Sequence, residues 1–192
     1  MSTANGSASA ISLEPKPGTV YLLEEKRPKA TYELLDQTVS AGYNGLVVTR
    51  DFPKKLLAEN ELASCRILWL TNLVGEGRIN PTAIGILMGQ LRTFIEGQKR
   101  TTIVLDGLEY LVSLNTYDRM LQFMHQLKDL VVTNDCIMFV PVDPRTMNQR
   151  ELALLERCME PVLPKTEVEA QEDNLVGAGD EGVLRLLDVR PR

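Results

Sequence analysis

"RTTIVLDGLEYLVSLNTYDRMLQFMHQLKD", residues 100–129, decides how this chain reads. Thr101 to Leu105 form a β-favouring, largely apolar run that ends on the acid Asp106. Gly107 then opens a stretch in which Tyr110, Leu114, Met120, Phe123, Met124 and Leu127 recur at helical spacing. An unbroken apolar strand feeding one long helix, here to about Val131, is the repeating unit of a parallel sheet. Only strands buried on both faces lose the alternation of polar and apolar residues.

The same unit repeats outward in both directions. "TVYLLEE" (19–25) reads as a strand. "PKATYELLDQTVSAG" (28–42) reads as a helix that opens on Pro28, carries Tyr32, Leu35 and Val39 at helical spacing and stops at Gly42. "GLVVTR" (45–50) is a second strand, and "DFPKKLLAEN" (51–60) a short helix capped by Asp51 with Pro53 in its first turn. "CRILWLTN" (65–72) is a third strand, with Trp69 expected in the core. "NPTAIGILMGQLRTFIEGQ" (80–98) predicts a helix with Asn80 as its cap and Pro81 at its first position. "CIMFVPVDP" (136–144) is the fifth strand and "TMNQRELALLERCM" (146–159) the last helix. The expected fold is α/β: a three-layer domain over residues 18–163 with a five-stranded, mainly parallel sheet. Residues 1–17 are expected to be an N-terminal tail without regular structure. Residues 164–192 are expected to be an acidic linker ending in an apolar segment. There Leu184, Leu186, Leu187 and Val189 are partner-binding candidates that dock either on their own domain or on a neighbour.

Composition narrows the function classes. The 192 residues are 44% hydrophobic and 24% charged, as in an ordinary soluble domain. A net charge of -5 argues against nucleic acid as the partner. Three scattered cysteines without a CxxC pair, and a single histidine, His125, offer no metal site and no Ser/His/Asp grouping. The first residues lack the apolar core of a secretory signal, and no apolar run approaches the roughly 20 residues that span a bilayer. A cytoplasmic protein without membrane insertion is expected.

Ligands of an open parallel sheet bind at the carboxyl ends of the strands. The residues placed there are Arg50, Asp51, Thr71, Asn72, Asp106, Asp143 and Arg145, with Glu109 in the first turn that follows Asp106. Asp106 stands where an acid holds a magnesium-bound water. Nucleotide hydrolysis also needs a glycine-rich loop and a lysine around the phosphates. The first strand-to-helix turn, "EEKRPKATYE" (24–33), has no glycine, and its Glu24 and Glu25 repel phosphate. Arg50 is expected to pair with Asp106 across neighbouring strands, Glu109 to serve capping and packing, and Asn115 to bond a neighbouring loop.

The element order, and "GLVVT" and "TTIVLDGLEYL" in particular, resembles the RecA/KaiC class of ATPase cores. A closer resemblance is to the archaeal family catalogued as domain of unknown function 835. Its pattern matches Tyr21 to Leu23, Gly45 to Pro53, Ile67 to Leu70, Asp106 to Asn115, Asp143-Pro144, and Glu151 to Arg157. The resemblance implies a degenerate RecA-like P-loop fold in a signalling-type setting, with no activity attached. The leading expectation is a non-catalytic pseudo-ATPase, with no cofactor and no catalytic residue. It would act by contact with a protein partner, an ATPase relative or a second copy of itself. The alternative is a sensor binding a nucleotide or small anion through Arg50, Arg145 and the amides near Asn72. The last is a magnesium-dependent hydrolase using Asp106 and Glu109.

Overall fold

A computed structural model describes residues 13–60, 62 and 64–162 of the chain. They belong to one compact unit, Ser12–Leu163. The apolar segment with Leu184, Leu186, Leu187 and Val189 lies outside the described residues, as does most of the expected N-terminal tail. Of that tail, residues 13–16 run as coil, and the Lys16 amide donates to the Tyr21 hydroxyl at 2.8 Å.

The strands are β1 (Thr19–Glu24), β2 (Asn44–Thr49), β3 (Arg66–Leu70), β4 (Arg78–Ile79), β5 (Thr101–Asp106), β6 (Ile137–Val142) and β7 (Glu160–Val162). The helices are α1 (Lys29–Ser40), α2 (Pro53–Glu59), α3 (Ile84–Gly97), α4 (Leu108–Leu114), α5 (Tyr117–Thr133) and α6 (Gln149–Cys158), with a 3-10 turn at Pro144–Thr146. All strands are parallel, in the order β4-β3-β2-β5-β6-β1-β7.

The sheet has seven strands among the described residues rather than five. The two additions are the short edge strands β4 and β7, one beyond β3 and one beyond β1. The five expected strands form its centre. β1, β2, β5 and β6 are buried on both faces along most of their length, as their unbroken apolar runs require, while β3, next to the short edge strand, buries only Leu68 and Leu70 fully.

Alternation assigns the faces. Val20, Leu22, Leu46, Val48, Leu68, Leu70, Ile103, Leu105, Met138 and Val140 form one cluster with the apolar stripes of α3, α4, α5 and α6. The intervening residues Tyr21, Val47, Val104 and Phe139 turn to the other face, where Tyr21 stacks on Phe139 with centroids 5.7 Å apart. That face is covered by α1, whose Thr38 hydroxyl donates to Thr102 Oγ1 at 3.1 Å. Gly45 fits beneath this layer only because it lacks a Cβ. One built there would lie 2.5 Å from Cys65 Sγ.

Several local expectations are corrected. The single long helix after Asp106 is two helices. Asn115 ends α4, with its side-chain amide donating to Leu111 O at 2.8 Å and to Pro81 O at 3.1 Å. Thr116 then caps α5 by accepting from the Arg119 amide. The expectation that Asn115 bonds a neighbouring loop holds. Asp51 does not cap α2: Phe52 occupies that position without a side-chain bond, and Pro53 is the first helical residue. Nor does Asn80 cap α3. Its Oδ1 accepts from the Thr82 amide and hydroxyl, so a turn precedes the helix, which begins at Ile84. Trp69 is half-buried rather than in the core, because β3 has only a two-residue strand beyond it to cover its outer side.

Candidate functional site

The carboxyl ends of β1, β2, β5 and β6 bring the expected acidic residues to one edge of the sheet. Thr49 and Asp106 are partners in the parallel register of β2 and β5, so their side chains leave the sheet side by side on the α1 face. Asp106 Oδ2 accepts from the Tyr32 hydroxyl of α1 at 2.8 Å and from Thr49 Oγ1 at 3.2 Å. Thr49 Oγ1 in turn accepts from the Asp51 amide at 3.0 Å, which ties the chain after β2 into the same cluster.

Burial holds the Asp106 carboxyl above the usual carboxylate range. The Tyr32 and Thr49 hydroxyls pull it back, while the charges of Asp51 and Glu109 add to the rise. Tyr32 is raised as well, first by burial and then by the adjacent carboxylate, so the phenol keeps its proton and acts as the donor. No buried side-chain N or O among the described residues lacks a partner.

Arg50 does not pair with Asp106, as had been expected. The two do sit on neighbouring strands, but the Arg50 guanidinium lies over the Tyr110 ring, 4.9 Å from its centroid, and the residue is exposed. Parity explains the outcome. Thr49 shares Asp106's face, so the residue after it leaves on the other side and meets α4 instead. Gly107 makes this close approach possible: at φ +131 it runs past Leu70 Cδ1 and the Arg50 backbone, leaving little room for a side chain.

Glu109, in the first turn of α4, reaches across to β6, where its Oε1 accepts from the Asp143 amide at 2.8 Å. It therefore joins two strand ends rather than capping its own helix. Asp143 accepts from the Arg145 amide at 3.1 Å and from Arg145 Nε at 2.8 Å, and the second carboxylate oxygen meets the guanidinium as well. The guanidinium holds the Asp143 carboxyl down at about 2. Asn72 is exposed in the loop after β3, and the next amide, of Leu73, is already donated to Thr71 Oγ1 at 3.2 Å. Of the sensor residues expected from sequence, Arg145 is thus engaged within its own turn, Asn72 stands apart, and Arg50 alone keeps an exposed guanidinium edge.

Sequence reasoning missed the first turn of α1. Glu25 folds back over the helix start and its carboxylate accepts from the Ala30 amide at 3.0 Å and the Thr31 amide at 2.9 Å; the Thr31 hydroxyl joins them on the same oxygen as the Thr31 amide. These are the free N–H groups that make a helix N-terminus attract anions, and a carboxylate of the chain itself has taken them. The signal was present in the sequence: an acid five residues before the second helical position, with a threonine to receive it. Glu24 and Glu25 consequently serve different neighbours, since Glu24 is still within β1.

Among the described residues no group of three or more His, Cys, Asp or Glu side chains converges to hold a metal ion. No helix there is long and apolar enough to cross a membrane. His125 is exposed on α5. Cys136 and Cys158 are buried free thiols, and burial raises the pKa of all three cysteines.

No curated protein matches the chain. A family model does, over residues 24–159, from the last residue of β1 to the end of α6, and so takes in every strand-end residue described above. The chain belongs to the family described as protein of unknown function, DUF835.

Proposed function

We propose that this domain is a RecA-like frame that works as a protein-interaction module and not as a nucleotide engine. The observation that carries the reading is Glu25 on the first-turn amides of α1. A nucleotide-hydrolysing relative of this frame would hold phosphate on those amides, and there a second anion would meet the Glu25 charge at contact distance. Asp106 supports the same reading. Its Oδ2 is held by two hydroxyls, and the neighbouring cation, Arg50, is directed away from it. The adjacency of β2 and β5 is the one that a RecA-like strand order requires. Such a frame, once emptied of its chemistry, retains surfaces for a second copy, for an ATPase relative or for another signalling partner.

Thermal unfolding of the full chain with ATP, GTP and cyclic nucleotides, each with and without magnesium, tests this. A nucleotide that binds only the native state stabilises it by about 2.7 kcal/mol at 100 times its dissociation constant. The expected outcome is no shift with any of them. A shift lost in Arg50→Ala, with the fold intact, would replace the module reading with the anion-sensor reading. Steady magnesium-dependent turnover that disappears in Asp106→Asn would replace both with a hydrolase.

A further inference from the structure

We draw no further inference here: the strongest candidate, the exposed apolar patch of Phe52, Leu73 and Val74 in the loops after β2 and β3, is bordered by charges of both signs, and nothing in the structure shows what covers it.

Discussion

Replacing Tyr32 by Phe removes one oxygen and nothing else from the Asp106 cluster. Tyr32 is 7% exposed, so the ring stays in its place on α1. What disappears is the 2.8 Å donation to Asp106 Oδ2, which leaves Thr49, at 3.2 Å, as the only donor to that oxygen. A hydrogen bond to a charged group contributes about 1.5–3 kcal/mol, against about 0.5–1.5 kcal/mol for one between neutral groups. The carboxylate is half-buried, and the charged-group figure applies while it is ionised. For a domain of this size 1 kcal/mol corresponds to about 2–4 °C, and the loss with the carboxylate ionised is expected to be about 3–12 °C.

The pH dependence follows from the direction of the Asp106 shift. Its folded pKa is raised, so its contribution to stability is fully present below the ordinary aspartate value and is lost as pH rises through the folded value. Within that window the parent's phenol supports the ionised form. Tyr32→Phe therefore raises the folded pKa further, and its penalty shrinks toward the neutral-bond figure as the carboxyl protonates. Urea unfolding at pH 7 and at pH 4, followed by far-ultraviolet circular dichroism, measures both quantities. A penalty below about 0.5 kcal/mol at pH 7, or one that grows on acidification, would refute the reasoning.

The same cluster predicts that Asp106→Asn is at least as stable as the parent at pH 7, since the amide oxygen accepts both hydroxyls without a buried charge; the two chains converge at low pH in the same unfolding series. Gly45→Ala drives a Cβ to within 2.5 Å of Cys65 Sγ and 3.0 Å of Val39 Cγ2, and is expected to lose about 1–3 kcal/mol by overpacking in a chemical unfolding measurement. Glu109→Ala leaves the Asp143 amide without its 2.8 Å acceptor and is expected to cost about 1–2 kcal/mol, with faster hydrogen exchange confined to the turn after β6. The Asp143 carboxyl titrates at about 2 in the parent, and in Arg145→Ala it should return upward to the ordinary aspartate range by NMR titration.

The centre of the fold was legible because burial on both faces writes itself into sequence as unbroken apolar runs, and five of the seven strands have one. β4 and β7 have two and three residues, the latter around a proline, and nothing that short carries a period. They become strands because a neighbouring edge is available to pair with. The break between α4 and α5 had a readable signal in "NT" (115–116), an amide that ends one helix and a hydroxyl that caps the next. The surrounding apolar spacing concealed it, and Leu114, counted toward that spacing, is 43% exposed. The capping box of α6, with Asn148 and Glu151 bonded to each other's backbone at 2.9 and 3.0 Å, was equally present three residues apart.

The strand-end site was legible in membership but not in pairing, and register accounts for the difference. Placing Asp106, Arg50, Glu109, Asp143 and Arg145 at one edge needs only the strand boundaries. Deciding which of them touch requires knowing which residue of β2 lies opposite Asp106, and that is set by the whole sheet. Once Thr49 is opposite, the period of two sends Arg50 to the other side, so complementary charge cannot bring the pair together. Tyr32 was hidden for a related reason: it acts through α1, whose docking on the sheet depends on packing that no local window contains, whereas Glu25 bonds residues only five and six positions away and was within local reach. A chain that kept these strands but shifted β2 by one residue would put Arg50 beside Asp106 and leave Thr49 against α4. It would also turn Val47 and Leu46 to the wrong faces, and their complete burial on opposite sides of the sheet is what forbids the shift.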